Sequence, residues 1–500
     1  MPKKERAVFL SSHKEEFKQK TFCQLFLDTV KAFPGKVAVS GIYGTFTYQE
    51  LEEKSNILAT HLLEKGMKAG EVVGVQAGQS VWSVIFMIGI WKAGGAYVYI
   101  DSTHPKKRQK QIVEECQCRF VIDREFAMGI DWSERKDHID RSKREDMALL
   151  IYTSGSTSKP KGVMLSHRNV MCAISNFDRL FLSEEDVYGV FPSFSFVASV
   201  FDLYASLAVG ASVRIIQKAI RKDIKGLLQC YIEHGITVTF LPPHMASKLG
   251  DIEDGKTKLR VLLVGSDMPR NLLPTHYEIY NVYGASEMTS IISEYEITEA
   301  KFYYPVGKLN STIKGYVVDE DGRVLPAGEA GELWLASDQV AMGYYKDPKR
   351  TENFFVENPF SKEEGFLRLF KTKDLVRMDT DGTIHYLGRM DFMYKIRGFR
   401  VEASAVETAM RCTGIAKECA VVAFEDQGGT NILCGYFEAE DQVDVKEFKE
   451  VLKESLPYYM IPTALFQVEV LPRTVSNKID RKKLKAPKEL NDHKLLEELY

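Results

Sequence analysis

The sequence predicts an α/β protein with a large N-terminal part of parallel-rich sheets and helices, a β-rich subdomain, and a small α+β C-terminal domain. Three observations predict this architecture. Buried-strand patterns alternate with helical patterns as far as about residue 283, which is typical of parallel sheets. From about residue 315 turn-rich strand patterns replace that alternation. The chain has 500 residues, 45% of them hydrophobic and 27% charged, so we expect two or three globular domains.

The first elements surround a hairpin-like centre. Phe22, Leu25, Phe26, Thr29 and Val30 recur at the spacing of one helix face. Short strands are predicted in VAVSG (37–41) and GTFTYQEL (44–51), and a helix then ends at Gly66. Further strands are predicted at residues 72–77, 96–101, 120–123, 148–152, 187–191, 212–216, 237–241, 261–265 and 279–283, with helical patterns between several of them, including one near 81–93.

The C-terminal part of the chain has turn-rich strand patterns and a separate small domain instead of alternating strands and helices. Asp321-Gly322 and Asp381-Gly382 predict tight turns in a β-rich subdomain of about residues 315–388. Residues 389–500 are predicted to form a separate small domain. Its predicted elements are a helix from about Ala403 to Cys412, strands at 419–425 and 432–439, an amphipathic helix at 445–456 and a strand at 464–470.

The loop IYTSGSTSKPKGV (151–163) is the most informative stretch for function. An apolar run from Met147 to Ile151 leads into small hydroxyl residues and two lysines, Lys159 and Lys161. Successive N–H groups, hydroxyls and lysines suit a polyphosphate, and in parallel sheets ligands sit beyond the carboxyl ends of strands. The P-loop pattern is excluded because Lys161 precedes Gly162 and Val163 follows. The alternative is an exposed Ser/Gly/Lys linker.

The whole chain resembles the adenylate-forming superfamily of acyl-CoA synthetases, luciferases and peptide-synthetase adenylation domains. The phosphate loop carries the resemblance, although Ser158 stands where Gly is usual. The other segments that carry it are TFTYQEL (45–51), WKAGGAYVYID (91–101), NVYGASE (281–287), GELWLASDQVAMGYY (331–345), FKTKDLVR (370–377), GRMDFMYKIRGFRVE (388–402), LPYYMIP (456–462) and PRTVSNKIDRKKL (472–484). Lys373 replaces a usual Gly, and Tyr99 a usual Pro.

The resemblance implies a large N-terminal adenylation domain, 1–388, and a small mobile domain, 389–500, that carries the catalytic Lys478. It also implies catalytic roles for Lys161 and Arg389 and a hinge at Asp391. The implied ATP-binding residues are Thr153, Ser154, Gly155, Ser156, Thr157, Lys161, Tyr283, Gly284, Ala285, Ser286, Asp374, Arg389 and Lys478. Among them Tyr283 is expected on adenine and Asp374 on the ribose hydroxyls, while Glu287 is expected to hold Mg²⁺. Solvated, turn or core roles are the alternatives.

The resemblance further implies two poses of the small domain. One brings Lys478 to the site, where its charge is needed as a carboxylate attacks the α-phosphate of ATP. The other replaces it with the segment around Lys395–Gly398 for thioester formation. The sequence predicts the hinge but not the motion.

The substrate pocket is where the chain departs from amino-acid-activating relatives. FSFVASVFD (194–202) has Val197 where those enzymes have the aspartate that pairs the substrate ammonium. The pocket carried over by position consists of Val197, Ala198, Phe201, His244, Leu262, Val264, Val282, Ser290 and Ile291. His244 is a candidate partner for a substrate carbonyl or hydroxyl, or else a structural histidine. Asp202 and Asp267 are the alternative partners for an ammonium.

These observations predict a ligase that forms an acyl-adenylate from ATP and an acid without an α-amino group (a keto, hydroxy or apolar acid). The product is then a thioester on the phosphopantetheine of a separate carrier protein, as in nonribosomal peptide synthesis. The alternatives are a D-alanine or other amino-acid carrier-protein ligase, similar in length and layout, an acyl-CoA ligase, and a non-catalytic nucleotide-binding relative. ATP and Mg²⁺ are the expected cofactors.

Net charge and cysteine content indicate which classes of partner are not expected. The net charge of −3 favours neither nucleic acid nor membrane as a partner. The eight cysteines are scattered, and only Cys116 and Cys118 are close, so we expect reduced thiols rather than a disulfide or metal framework. No run reaches the roughly 18 apolar residues of a membrane helix, and the apolar run in the basic N-terminus is too short for a signal peptide. We therefore expect a cytoplasmic protein.

Overall fold

A computed structural model of the chain describes residues 19–153, 161–178, 182–273, 275–301, 303–390, 393–426, 430–473 and 479–486. The chain divides into two compact units. The first unit comprises residues 1–101, 113–151 and 162–388, and the second comprises 102–112, 152–161 and 389–500. The architecture is α/β, as predicted.

A nine-stranded sheet is the largest element of the first unit. Its order is β14-β13-β12-β11-β10-β8-β9-β1-β2. The strands are β1 (Val37–Gly41), β2 (Gly44–Thr47), β8 (Val187–Val190), β9 (Ser212–Ile215), β10 (Val238–Leu241), β11 (Val261–Gly265), β12 (Glu278–Ala285), β13 (Ser290–Glu296) and β14 (Lys308–Leu309). The run from β1 to β12 across the sheet is parallel, and the edge pairs are antiparallel.

A six-stranded sheet of order β17-β7-β6-β4-β3-β5 leads into the phosphate loop. The strands are β3 (Val72–Val75), β4 (Ala96–Tyr99), β5 (Phe120–Ile122), β6 (Met147–Thr153), β7 (Lys161–Ser166) and β17 (Gly343–Tyr344). Strand β6 ends at Thr153, so the loop does follow a strand. Strand β7 was not predicted, because the sequence pattern assigned its first residues to the loop.

The helices of the first unit fill the spaces around these sheets. They are α1 (Phe22–Ala32), α2 (Tyr48–Glu64), α3 (Val81–Lys92), α5 (Arg124–Met128), α6 (His167–Ile174), α7 (Ala198–Val200), α8 (Ser206–Ala208), α9 (Ile224–His234), α10 (Pro243–Ile252) and α11 (Pro348–Phe354). Helix α4 (Lys106–Cys116) has residues in both units. Capping boxes at Thr21 and Thr47 begin α1 and α2, since each side chain accepts an N3 amide. Helix α3 is almost wholly buried, as its mostly apolar sequence predicts.

The β-rich subdomain contains a five-stranded sheet in which β15, β16, β19 and β18 are adjacent and β20 pairs with β19. The strands are β15 (Lys314–Val318), β16 (Ala330–Ala336), β18 (Phe355–Glu357), β19 (Arg368–Met378) and β20 (Ile384–Arg389). Both predicted turns form: Gly322 donates its amide to Asp319 O and Gly382 donates its amide to Asp379 O. Gly322 and Gly382 have φ of 80° and 85°, which glycine adopts without strain.

The C-terminal segment of the second unit is a small α+β assembly. A hairpin joins β21 (Met393–Ile396) and β22 (Phe399–Glu402). Helix α12 (Ala403–Cys412) follows, and then come β23 (Glu418–Glu425), β24 (Asn431–Glu438), α13 (Val445–Lys453) and β25 (Ala464–Gln467). The last three strands form one sheet in the order β23-β24-β25. Within the described part of the chain, no helix has the length and apolarity that crossing a membrane requires.

Candidate active site

The segment that joins β12 to β13 holds the acidic residue predicted to bind Mg²⁺. A 3-10 turn, Ser286–Met288, follows β12 directly, and the chain then reverses into β13. Thr289 and Ser290 have φ of 54° and 123°, an unfavourable conformation for non-glycine residues. The Thr289 hydroxyl donates to Gln339 O at 2.7 Å, which helps to hold the turn. Strained backbone that neighbouring groups hold in place is typical of functional sites.

Glu287 lies inside this turn and is completely buried. Its Oε1 accepts a hydrogen bond from the Tyr344 hydroxyl at 2.9 Å, and its backbone oxygen accepts one from the Ala341 amide at 2.9 Å. Tyr344 is in β17, which pairs with β7, the strand that begins at Lys161. The carboxylate is therefore fixed in orientation by a residue paired with the strand that continues from the phosphate loop.

Gly284 lies exposed at the start of this segment, between Tyr283 and the turn. A Cβ added at Gly284 would lie 2.4 Å from the Ser290 backbone oxygen, because the register between β12 and β13 shifts at this point. No residue with a side chain fits without moving the backbone of β13. The close approach explains why the sequence has glycine here.

Tyr283 and Asp374 are brought together, although they are separated by 91 positions in the chain. Tyr283 is the β12 residue just before Gly284, and its hydroxyl donates to Asp374 Oδ2. Both side chains are buried, at 5% and 6% exposure. The predicted adenine-packing ring and the predicted ribose carboxylate thus form one hydrogen-bonded pair. Thr372 also holds Asp374 in place, because its hydroxyl oxygen accepts the Asp374 amide at 2.9 Å.

Lys373 shows why glycine is usual before this aspartate. Its φ is 61°, the left-handed conformation that costs a side-chain-bearing residue energy. Glu332 compensates at both ends of the residue: its carboxylate accepts the Lys373 amide at 3.0 Å and pairs with Lys373 Nζ at 3.2 Å. Glu332 is 7% exposed and lies in β16, where the register with β19 shifts.

In the second unit, Lys161 is paired with Glu402. The Lys161 Nζ lies 3.0 Å from Glu402 Oε1, and both side chains are almost fully buried. The Arg400 Nη2 lies 3.8 Å from the same Glu402 oxygen. The Thr153 hydroxyl is buried and has no hydrogen-bond partner among the described residues. A buried hydroxyl of this kind fits a ligand oxygen, since an unmade hydrogen bond is costly.

Several predicted residues lie outside the described residues: Ser154, Gly155, Ser156, Thr157, the hinge Asp391 and the catalytic Lys478. Their roles stay predictions. Arg389 is described, half-buried, as the last residue of β20. Ala285 and Ser286 are half-buried and continue directly from Gly284 into the turn.

The predicted pocket residues differ in exposure. Val197, Ala198, His244 and Ile291 are half-buried, whereas Phe201, Leu262, Val264, Val282 and Ser290 are buried. Leu262 and Val264 belong to one hydrophobic cluster, and Phe201 and Val282 to another. Helix α7, which follows Val197, contacts β13, the strand of Ser290 and Ile291. His244 lies in the first turn of α10. The assignment of these residues to a substrate pocket stays a prediction.

Asp202 is a candidate partner for a substrate ammonium, but its carboxyl group is not accessible to a substrate. It lies in a π-helical turn, Phe201–Ala205, between α7 and α8 and is 2% exposed. Its Oδ1 accepts the Tyr188 hydroxyl at 2.7 Å, and its Oδ2 has no hydrogen-bond partner among the described residues. Burial raises the pKa of Asp202 to about 8, so the carboxyl is mostly neutral at pH 7.

Three residues of the site were not assigned from the sequence: Tyr344, Glu332 and Gln339. All three lie in the quoted segment GELWLASDQVAMGYY. They act by orienting other groups, as Tyr344 does for Glu287 and Glu332 for the Lys373–Asp374 turn. The motif therefore marked the segment that contains these residues, but the sequence did not indicate which groups they bind.

Comparison with known proteins gives the family and the fold of the chain. The family model described as AMP-binding enzyme matches residues 26–345. Bacitracin synthase 1 of Bacillus licheniformis is 34% identical over 490 residues, which cover 94% of this chain and 9% of that protein. Tyrocidine synthase 1 of Brevibacillus parabrevis is 33% identical over 494 residues, covering 94% of this chain and 45% of that protein. The chain thus spans less than half the length of these curated relatives.

Among solved structures, the chain is similar to NpsA-ThdA, an artificially fused adenylation–PCP di-domain of a nonribosomal peptide synthetase from Klebsiella oxytoca. The TM-score is 0.82 at 24% identity, covering 90% of this chain and 94% of that chain. This likeness concerns the fold.

Proposed function

The chain belongs to the AMP-binding enzyme family within the adenylate-forming superfamily, and from this premise we propose that it activates a carboxylic acid lacking an α-amino group and transfers it to the phosphopantetheine thiol of a separate carrier protein. In the first step the acid's carboxylate oxygen attacks the α-phosphorus of ATP, and pyrophosphate leaves. In the second step the thiol sulfur attacks the acyl carbon, losing its proton, and AMP leaves. The product is a thioester.

The observation that carries the adenylation step is the Tyr283–Asp374 pair next to the Glu287 turn. Asp374 can accept hydrogen bonds from ribose hydroxyls, and Tyr283 holds it in place. Gly284 leaves the backbone there without a side chain, as close approach of a nucleotide requires. These groups of the first unit fit the nucleoside of ATP.

Glu287 also fits Mg²⁺. Among the described residues no three metal-ligating side chains cluster, so a site built wholly from protein is not present there. Mg²⁺ bound with nucleotide needs only one or two carboxylates, because phosphates and water supply the other ligands. Glu287 offers one carboxylate, and the Tyr344 hydroxyl holds its orientation. When bound, the ion would offset negative charge on the phosphates, and Glu287 would position it.

Val197 and Asp202 together support an acid without an ammonium group. Val197 presents methyl groups at the position of the ammonium-binding aspartate, and it is half-buried. Asp202, one of the two alternative partners, is enclosed and largely protonated. Asp267, the other, accepts the Met268 amide at 2.8 Å, and because a carboxylate accepts several hydrogen bonds it stays the alternative partner for an ammonium. An ammonium buried without a carboxylate would cost several kcal/mol.

The acceptor thiol has two candidates. Similarity to the adenylation–PCP di-domain fold supports a carrier protein, and free CoA is the second candidate. The amino-acid ligase remains the competing substrate class, since the curated relatives are named synthases of bacitracin and tyrocidine.

The test is acid-dependent ATP–pyrophosphate exchange with matched pairs, such as 2-oxoisocaproate against leucine and pyruvate against alanine. We expect the acid without the ammonium to be preferred by about tenfold or more, because each ~1.4 kcal/mol of avoided desolvation is a factor of ten. Val197→Asp should shift the preference toward the amino acid, whereas the apolar control Val197→Leu should not. A preference for the amino acid in every pair would refute the substrate class, and no exchange with any acid would favour the non-catalytic alternative.

A further inference from the structure

Cys116 and Cys118 stand two positions apart, and the proposed function uses neither of them. Cys116 is the last residue of α4 and is 2% exposed, whereas Cys118 is half-buried. Neither forms a disulfide. The two thiols share a hydrogen bond, and the backbone amides of Cys118 and Gly74 both donate to the Cys118 sulfur. The pair is therefore already in contact, and Cys118 is its solvent-accessible member.

The C-terminal end of α4 brings the two thiols together. Gln117 donates its amide to Glu114 O at 3.1 Å. Cys118 donates its amide to Val113 O at 3.0 Å. These two bonds are the Schellman arrangement, and Gln117 has the left-handed φ of 53° that it requires. A residue in such a turn leaves its two neighbours' Cα atoms about 5.4 Å apart, inside the range of roughly 4.4–6.8 Å that a disulfide spans.

This helix end is held against the segment that follows β17. Glu115 O accepts a hydrogen bond from Lys346 Nζ at 2.8 Å. Cys116 O accepts one from the Tyr345 hydroxyl at 3.5 Å. Burial raises the pKa of Tyr345, and the nearby Cys116 and Cys118 thiols raise it further. Both sulfurs therefore lie near the Tyr345 hydroxyl.

The same segment orients the proposed Mg²⁺ ligand. Tyr345 follows Tyr344 directly and donates its amide to Gly162 O of β7 at 2.8 Å. The Tyr344 hydroxyl donates to Glu287 Oε1 at 2.9 Å. A displacement of the α4 end therefore reaches Glu287 through two consecutive tyrosines, because Tyr345 contacts the helix end and Tyr344 contacts the carboxylate.

We propose that Cys116 and Cys118 are a redox modification site, which a small-molecule disulfide such as oxidised glutathione converts to an intramolecular disulfide. The sulfurs must close from hydrogen-bond contact to a bond of about 2 Å, so the backbone around Gln117 turns and the carbonyl oxygens before it shift. The Tyr344–Glu287 contact is thereby loosened. This regulatory effect rests on the proposed function, because it acts on the proposed Mg²⁺ ligand, whereas the disulfide itself does not.

The conversion takes two thiol–disulfide exchanges. In the first, the Cys118 thiolate attacks one sulfur of oxidised glutathione, the S–S bond breaks, and one glutathione thiolate leaves. In the second, the Cys116 thiolate attacks the Cys118 sulfur and displaces the second glutathione. The two protein thiols are oxidised, the glutathione disulfide is reduced, and the two thiol protons end on the two glutathione molecules. The hydrogen bond with Cys116 and burial raise the pKa of Cys118, so the reacting thiolate forms more readily as pH rises.

The experiment incubates the chain in glutathione buffers from fully reduced to fully oxidised and weighs the peptide that contains both cysteines. We expect this peptide to lose roughly two mass units, because two hydrogens leave, and to lose them faster at about pH 9 than at about pH 7. Cys118→Ser should prevent the loss, and Cys116→Ser should stop at the mixed disulfide with glutathione. Cys412→Ser removes an exposed cysteine elsewhere in the chain and is the control that should keep the loss.

Two further measurements on the same samples test the regulatory effect. Oxidation should lower ATP–pyrophosphate exchange about three- to tenfold, the range for one lost hydrogen bond, and reduction should restore it. The rise in melting temperature that Mg²⁺ and ATP together produce should also be smaller in the oxidised chain. Cys118→Ser should respond as the reduced wild type does in every buffer, whereas Cys412→Ser should respond to oxidation as the wild type does.

The possible results separate this inference from the proposed function. If fully oxidised buffer leaves the mass of the wild-type peptide unchanged, the inference is wrong, and this result needs neither a variant nor an identified acid. If the disulfide forms and Mg²⁺ with ATP raises the melting temperature equally in both redox states, the link to Glu287 is wrong. If the reduced chain shows no exchange with any acid, the proposed function fails, and the peptide mass and the melting shift still decide this inference.

Discussion

The proposed nucleotide-binding role of the Tyr283–Asp374 pair can be tested by removing one hydroxyl. Tyr283→Phe removes the donor to Asp374 and leaves a buried carboxylate oxygen without it. Losing such a hydrogen bond costs about 1–3 kcal/mol, so we expect the KM for ATP to rise about tenfold or more. The value of kcat should change less, because the interaction is made with both the ground state and the transition state. Steady-state kinetics with ATP as the varied substrate measures both.

The control for this substitution is Tyr303→Phe. The Tyr303 hydroxyl donates to Tyr386 O at 3.0 Å on a surface where Tyr303 is 36% exposed. Removing it should leave the KM for ATP unchanged. Equal effects of the two substitutions would mean that the Tyr283–Asp374 pair supports the fold rather than the nucleotide.

At the residue scale the sequence offers candidate site residues but not their hydrogen-bond partners. It predicted Tyr283, Asp374 and Glu287 as site residues, each with a separate task. The structure joins Tyr283 to Asp374 across 91 positions and Glu287 to Tyr344 across 57. Hydrogen bonds between distant segments depend on strand register, which a motif does not encode.

The β12–β13 connection is the element on which the proposed nucleotide site depends. Gly284→Ala would place a methyl group 2.4 Å from the Ser290 backbone oxygen, and this oxygen cannot move without displacing β13. Overpacking of this kind costs about 1–3 kcal/mol. We expect a lower melting temperature and a loss of pyrophosphate exchange larger than the loss of folded protein. Circular dichroism and exchange on the same samples measure the two effects.

Gly250→Ala is the matched control for that substitution. Gly250 is in α10, and nothing lies within 4 Å of an added Cβ. Because alanine favours helix by about 1 kcal/mol over glycine, this variant should be as stable as the wild type or more so. If Gly284→Ala behaves like Gly250→Ala, the close approach at Ser290 does not constrain the turn.

The π-helical turn makes stability depend on pH through Asp202. Its pKa is raised by burial from 3.8 to about 8, so the folded state favours the protonated carboxyl. The resulting stabilisation is complete below the unfolded pKa and is lost as pH rises through about 8. Asp202→Asn is neutral at every pH. The stability of the wild type relative to Asp202→Asn should therefore fall between about pH 4 and pH 8 and level off above pH 8, as measured by urea unfolding.

Asp186 provides a control of opposite sign. Burial raises its pKa, but the hydrogen bonds and charge of Arg260 and the other donors outweigh burial, so the net shift is downward. Its contribution is present above the unfolded pKa of 3.8 and is lost only as pH falls through the folded value. Asp186→Asn should thus show a constant stability difference from the wild type between about pH 5 and pH 9. A falling difference for both aspartates would contradict the assignment of the trend to Asp202.

For the whole molecule, the alternation of strand and helix patterns predicted the α/β class and most of the parallel strands, because buried parallel strands are continuous apolar runs. Strands β7 and β13 were missed for local reasons. Lys161 and Gly162 open β7 with loop-like residues, and the β13 segment SIISEYE alternates too irregularly to be read as a strand. The order of strands in the nine-stranded sheet could not be predicted, since β1 and β2 pair at the far edge from β14. That order depends on contacts between distant segments.

The proposed enzyme carries out two half-reactions, adenylation and thioester formation. A substitution at Lys478 tests whether this residue serves only the first. Lys478 lies outside the described residues, and its role rests on the resemblance of PRTVSNKIDRKKL. On the proposed mechanism, its charge is required while the carboxylate attacks the phosphate but not when the thiol attacks the acyl-adenylate. Lys478→Ala should lower pyrophosphate exchange by several orders of magnitude and leave thioester formation from supplied acyl-adenylate largely intact.

The exposed Lys483, five positions on, is the control, and Lys483→Ala should leave both half-reactions unchanged. If Lys478→Ala impairs both half-reactions equally, Lys478 supports the fold or both steps, and the separation of the two half-reactions by this residue is wrong.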